Sequence, residues 1–538
     1  MSEKFADWEK LFIFYLKRDW KKILLWIIFL GLFAGGFVPA VEATAEDQGL
    51  IAMYKILRNP SMTAIVGAPP VETAAHYTLG ALYSHNMLLF SSLFFSIISI
   101  LHVISHTKKE EDQGLTEYIS SFKVGRQANS FSVLIETIFI NTLLIPVIGG
   151  VMLNFISDSI TVEGIFLYAS SLAMAGIMGA ALALVMAQIF PSSAGATGAS
   201  LSILGIVYVI RGITDITNTD LSMLNPMGWI YLTRPFTENN WLYLSFGIIF
   251  FLIVSVIAFA LESRRDINTG YLPENQGKTK ASRSLLSVLG LFFRLNRGII
   301  ISWFLVFIFL GVAYGSIYGD LQVFVESNEF IAEIFSFEES SIEDHYTKTI
   351  IMVLVSLVSI LPIIIINRLF TEERQLRLNQ LFSTKVTRAR FYWTNIILGI
   401  FTGFIGVGLV SGFLGVTGLT VMKGGGNSSI TFSDFLATGY NQLTTLLFIA
   451  GLTAILLGWL PKLSVLPYIY LGYSTIINFG NLVTFPKWME NVAIQTWIPD
   501  MPTEDFNGTI FIIIIGISLV MIVIGYIGYN RRNLIEEY

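Results

Sequence analysis

The chain has 538 residues, 54% of them hydrophobic and only 13% charged, with no cysteine and a formal net charge of -5. A soluble domain carries about a quarter charged residues, so an ordinary globular protein is excluded, and the missing cysteines rule out disulfides, thiolate metal sites and cysteine nucleophiles. The positive charges flank apolar runs, which leaves no basic surface for nucleic acid.

In chain order, the first segment is amphipathic, with Trp8, Leu11, Phe12 and Tyr15 on one helical face and Lys10, Lys17 and Arg18 elsewhere. An interfacial helix has this pattern. The apolar run that follows and Ala43-Thr44-Ala45 look like a cleavable signal peptide. The amphipathic lead is long, however, and cleavage would leave the first half one span short, so a retained span is expected. Apolar runs of about 20 residues can cross a bilayer. They place spans at 23–40, 85–104, 131–155, 164–190, 195–213 and 241–261, then at 298–318, 349–366, 393–421, 435–460, 464–483 and 509–529. The expected fold is therefore an all-α polytopic membrane protein of about twelve transmembrane helices in two pseudo-repeated six-helix halves. The halves are 1–262 and 285–538, joined by a polar linker at 263–284. The second half opens on another amphipathic lead-in helix, with Leu285, Leu286, Leu289, Phe292 and Phe293.

Lysine and arginine are unevenly placed. Lys21, Lys22, Lys108, Lys109, Arg264, Arg265, Arg531 and Arg532 fall on one side of the spans; the other side holds mainly Lys55, Arg58, Arg234, Lys348, Lys423 and Lys487. The positive-inside rule then makes both termini and the linker cytoplasmic in a multi-pass protein.

One polar stretch between spans occurs twice. Glu110, Glu111, Gln113, Ser121, Lys123, Val124 and Arg126 align without a gap on Glu372, Glu373, Gln375, Ser383, Lys385, Val386 and Arg388. Each copy follows the second span of its half, so both are cytoplasmic inserts with a surface free for docking. On a continuous helix Glu110, Gly114 and Glu117 would share one face, with the glycine admitting another backbone.

Other motifs carry less. Gly277-Lys278-Thr279 lacks the upstream glycine and the strand of a phosphate loop, so no ATPase is expected in this chain. His102 and His106 sit one turn apart, but a closed metal site usually needs four ligands. Gly424-Gly425-Gly426 reads as a turn, and the acidic loop from Gly319 to Tyr346 as a solvated face. Glu136 is expected near the cytoplasmic interface, paired with Arg126 or Lys123. Small residues from Ala173 to Ala183 favour close helix packing.

The repeated insert resembles the cytoplasmic coupling loop of type-2 ABC exporter permeases. Three more stretches resemble the polyketide-antibiotic exporter branch of that family. They are Asn225-Pro226-Met227-Gly228-Trp229 with Arg234-Pro235-Phe236; Arg264-Arg265-Asp266 with Gly270 and Leu272-Pro273; and Ile498-Pro499-Asp500-Met501-Pro502. The resemblance implies a permease chain without cofactor of its own, assembled with two copies of an ABC ATPase subunit that binds ATP and Mg. It would export a hydrophobic or amphipathic compound across a bacterial cell membrane, surrounded by membrane lipid. It also implies that Glu110, Glu111, Gly114, Glu117, Arg126, Glu372, Glu373 and Arg388 dock on the ATPases or brace the helices that do. The substrate path would lie between the halves, with Asn86, Tyr208, Tyr468, Tyr473 and Asn478 as candidate lining. Lys123 and Lys385 stand where the family usually has proline, Leu376 where it has glycine and Asn379 where it has glutamate. The alternative, an ion-coupled secondary transporter of six-plus-six spans, would want carboxylates inside the spans. An intramembrane enzyme lacks a nucleophile, acid pair or metal cluster.

Overall fold

The computed structural model describes the chain except residues 1–2, 44, 46–48, 274–279, 320, 322–341, 376, 383–384, 423–429, 479–485 and 534–538. The Gly277-Lys278-Thr279 and Gly424-Gly425-Gly426 motifs, most of the acidic loop, and Leu376 therefore lie outside the described residues. No strand occurs among the described residues. In lipid every backbone N–H and C=O must find a partner within its own element, and the helix does this.

Contacts divide the chain into Met1–Gly277 and Lys278–Tyr538. In the first unit the long helices are α1 (Trp8–Gly35), α4 (Leu79–His106), α7 (Ala128–Met152), α8 (Val162–Ile189), α9 (Ser193–Thr217) and α11 (Leu242–Arg264). Short helices α2 (Gly49–Leu57), α3 (Pro60–Val66) and α10 (Pro226–Leu232) gather at one end, and α5 (Lys108–Asp112) and α6 (Leu115–Ser120) form the insert at the other. The expected amphipathic lead and first span are one unbroken helix. Side chains set the helix starts: Thr78, Thr161 and Ser192 each accept from the backbone N–H three residues on, at 3.2–3.3 Å, removing an orphan donor.

The α4 and α8 helices are the inner pair. Small side chains decide this, since Ser96 donates to the Ala175 carbonyl at 3.0 Å. A Cβ on Gly179 would sit 2.9 Å from the Ser96 carbonyl oxygen. The expected close packing of this small-residue stretch is observed. By contrast α11 buries only Gly247, Ser255 and Ala258 and exposes Ile249, Leu252, Ile253 and Val256, as a lipid-facing helix does.

The second unit contains α12 (Val288–Gly315), α13 (Ile342–Arg374), α14 (Arg377–Phe382), α15 (Arg388–Met422), α16 (Phe432–Asn441), α17 (Leu443–Trp459), α18 (Leu466–Asn478), α19 (Lys487–Val492) and α20 (Gly508–Arg531). Among the described residues eleven helical segments are long and apolar enough to cross a membrane. The expected span at 464–483 is described only over α18, of 13 residues, because 479–485 lie outside the described residues. In the first unit its counterpart α9 has 25 residues.

Candidate functional site: two braced inserts

The first insert is not one continuous helix. It breaks at Gly114, whose φ of +75° favours glycine, and a Cβ there would meet nothing within 4 Å. Gly114 thus serves a turn between α5 and α6 instead of the expected close approach, and Glu110, Gly114 and Glu117 do not share a helix face.

The glutamates turn inward. Glu110, 5% exposed, accepts from the Tyr15 hydroxyl at 3.0 Å and pairs with Arg18 at 2.8 Å, which ties the insert to α1. Glu111 receives a two-pronged grip from Arg265 at 2.6 and 2.8 Å. It also accepts from Lys108 at 2.9 Å and the Asn268 backbone N–H at 2.7 Å. Arg126 donates to the Arg265 carbonyl. Beyond Arg265 the chain forms a strap: Leu272 N–H donates to the Ile189 carbonyl at 2.9 Å, and a Cβ on Gly270 would come within 2.5 Å of the Pro191 nitrogen. The Arg264-Arg265-Asp266…Gly270 motif is therefore the segment that binds the end of α11 to the insert and to the α8–α9 joint.

The second insert repeats the core of this arrangement. Glu372 and Glu373 are the last-turn residues of α13, buried at 3% and 2% exposure. Glu372 pairs with Arg368 at 2.7 Å and Arg377 at 3.2 Å. Glu373 pairs with Arg532 at 2.6 Å, and Arg388 donates to the Arg532 carbonyl at 2.7 Å. The side chain of Asn379 lies outside the described residues.

Three large apolar side chains of the first insert face outward among its exposed polar ones. Leu115, Tyr118 and Phe122 are 43%, 67% and 58% exposed, and the last two rings meet edge-on with centroids 5.4 Å apart. Exposed Glu117 accepts from the Asn268 amide at 2.5 Å. The sequence gives no local signal for these aromatic residues, which lie among the aligned charges of the insert. The aligned second-half positions are Arg377, Gln380 and Thr384.

Glu136 is fully buried and does not pair with Arg126 or Lys123. One residue type that hydrogen-bonds in a dry bundle lies opposite it: His102 Nε2, at 3.2 Å. His106 Nε2 is engaged by Asp19 at 2.7 Å. Both histidines are thus taken up by carboxylates, and among the described residues no group of three metal-ligating side chains converges.

At the opposite end of the first unit a polar network is built around Arg211, which is 0% exposed. Its guanidinium pairs with Asp215 at 2.8 Å and donates to the carbonyl of Ala64 at 2.6 Å, at the C-terminal turn of α3. Asp215 also accepts from Ser222 and, at 2.5 Å, from Tyr231. Burial, with Asp215 beside it, pushes the Tyr231 hydroxyl well above its ordinary range, so it remains a donor. Tyr208 stacks on Arg211 at 4.5 Å and donates to the Ile65 carbonyl. Nearby is a cavity of about 900 Å³ lined by Tyr54, Arg58, Glu72, Tyr231, Arg234 and Phe236 among others. Phe236 is seated where Gly164 leaves room, a Cβ there falling 2.4 Å from its ring.

The five candidate path residues do not converge on that cavity. Asn86 is half-buried on α4, and Tyr208 belongs to the Arg211 network. Tyr468 packs against Ile363, Ile449 and Leu471. Tyr473 donates to the Met489 carbonyl at 2.8 Å, and the Asn478 amide contacts the Met352 sulfur at 2.6 Å. The last three share α18.

Residues 285–530 match the family described as the C-terminal domain of the multidrug efflux system permease Rv1217c. Over 527 residues, 96% of this chain and 94% of the relative, the chain is 25% identical to the multidrug efflux system permease protein Rv1217c of Mycobacterium tuberculosis. That similarity runs through both halves and agrees with the polytopic helical fold and the repeated inserts; the chain is a multi-pass helical membrane protein similar to an efflux-system permease.

Proposed function

We infer that the chain is the permease of an ATP-driven exporter, working with separate ABC ATPase subunits, two copies to one chain, that hold ATP and Mg. It moves a hydrophobic or amphipathic compound out across the bacterial cell membrane, with both termini and both inserts cytoplasmic. The observation that carries this reading is the first insert: its glutamates are held from within, while Leu115, Tyr118 and Phe122 stand exposed beyond the membrane helices. An exposed apolar stripe on a braced polar loop fits a protein partner, and the repeat of the braced loop fits two such partners. Glu111, Glu373, Arg126 and Arg388 then brace the docking segments, and the Leu115–Tyr118–Phe122 face does the docking.

The buried His102–Glu136 pair is the kind of group an ion-coupled carrier would use. It occurs in the first half alone, with Ile364 and Leu398 at the aligned positions, so it favours a structural polar contact over a repeated ion path. Purification of the tagged permease from its native membrane tests the reading. An ABC ATPase is expected to accompany it in about twofold molar amount, as two inserts per chain require; a permease that comes away alone would count against it. Orientation is tested by single cysteines: His76→Cys and Asp158→Cys are expected to react with an impermeant reagent in intact cells, and Ser120→Cys only after lysis. Labelling of Ser120→Cys in intact cells would invert the topology.

A further inference from the structure

We propose that Arg265 and Arg532 are positioning residues that clasp each insert to the last membrane helix of its own unit, so that displacement of the insert is carried into that helix. The inference rests on the reading that the inserts meet an ATPase. Arg265 directly follows α11, which ends at Arg264, and Arg532 directly follows α20, which ends at Arg531. Each is held at two points by the two ends of an insert. Its guanidinium takes the glutamate at the insert's start, Glu111 at 2.6 Å or Glu373 at 2.6 Å. Its carbonyl accepts from the arginine at the insert's end, Arg126 or Arg388. The chain closes on itself, and neither end of the insert can shift without moving the end of the helix.

The plainer account is an ordinary helix C-terminus with a basic residue near its last carbonyls. That account needs a cation close to the helix end. It does not need a carboxylate brought from 154 or 159 residues away, nor the arginine's own carbonyl engaged from the far side of the same insert. The surroundings also differ between the units. Lys108, Gln188 and Asn268 join the first pair, whereas the second stands on Arg532, Glu373 and Arg388. What recurs is the two-point grip. The carboxylates are 8% and 2% exposed, so water competes little for them and the pairs hold while the insert is pushed or pulled. An uncompensated buried charge is costly, which makes the clasp a discrete element, closed or broken.

The test compares Arg265→Glu, Arg532→Glu, the milder Arg265→Lys, and the exchange pair Glu373→Arg with Arg532→Glu, each in the full permease. In the complex with its ATPase, each arginine-to-glutamate variant is expected to retain bound ATPase and basal hydrolysis. Compound-stimulated hydrolysis and efflux should fall by roughly tenfold, the scale of a typical coupling between sites. Arg265→Lys should fall between, because an ammonium cannot reproduce the two-pronged grip, and the exchange pair should recover most of the loss seen in Arg532→Glu. Stimulation equal to the unchanged protein in all variants would overturn the clasp, as would a loss that the exchange pair fails to restore. Hydrogen exchange on the permease alone gives a second readout that needs no ATPase: amides of the second insert and of the last turn of α20 should open together in Arg532→Glu and close together in the exchange pair. Exchange confined to the insert would overturn the clasp. Absence of ATPase from the unchanged protein would instead overturn the functional reading, and leave hydrogen exchange to decide the clasp.

Discussion

Replacing Arg211 with alanine is expected to destabilise the first unit by about 3–5 kcal/mol, because it strands one member of a fully buried ion pair. Arg211 and Asp215 are both 0% exposed at their side chains, so neither can turn to water. The guanidinium also neutralises the carbonyl end of α3 through Ala64 and Ile65, a helix end that favours a cation. Asp215 would keep Ser222 and Tyr231 as donors, which places the cost toward the lower end. The measurement is the thermal midpoint of the solubilised permease, with a fall on the order of 10 °C for a unit of this size. Arg211→Met with Asp215→Leu should recover much of it, since a buried pair is often replaceable by apolar groups of similar volume. Recovery will be incomplete, because α3 loses its cap in either variant. A midpoint unchanged in Arg211→Ala would mean that the network does not bear on stability.

Replacing Tyr118 and Phe122 together with serine is expected to strip the ATPase from the first insert while leaving the fold intact. Both rings are exposed, so their removal costs the permease little. Buried at a partner surface, aromatic anchors are worth about 2 kcal/mol or more each, so binding should weaken by more than about 30-fold even for one anchor. Glu117→Lys should act more weakly: an exposed ion pair contributes about 0–1 kcal/mol, and its effect should fade as salt shortens a screening length of about 8 Å. The aligned second-half positions, Gln380 and Thr384, offer no rings, and serine there should change little. Quantitative co-purification across a salt series checks all three. Equal losses from Glu117→Lys and the aromatic pair would show that charge, and not the apolar stripe, governs docking.

Much of the fold was legible because a membrane imposes long apolar runs, and because a repeated stretch with aligned glutamates marks two halves. The failures have physical causes. A helical wheel drawn through the first insert assumed continuity, while Gly114 takes a left-handed turn that a wheel does not register. Glu136 was given the nearest basic residues in sequence; its partner is His102, one helix away. Arg211 and Asp215 have the spacing of a helical ion pair, but the spacing does not register that the pair is buried. The repeated glutamates were found, but not their partners Arg265 and Arg532, because pairing over more than 150 residues leaves no local pattern. Tyr118 and Phe122 are hidden for the opposite reason: in a chain with 14% aromatic residues, two more carry no local signal of exposure.

In the proposed function, ATP hydrolysis on a separate subunit drives export through this chain. Proteoliposomes carrying the permease with its co-purified ATPase, loaded with a fluorescent amphipathic compound on the ATPase-bearing side, test it most directly. Transport is expected to require ATP and Mg, to stop when the ATPase is omitted, and to persist when a protonophore collapses the proton gradient. Transport by the permease alone, driven by a proton gradient and indifferent to ATP, would contradict it.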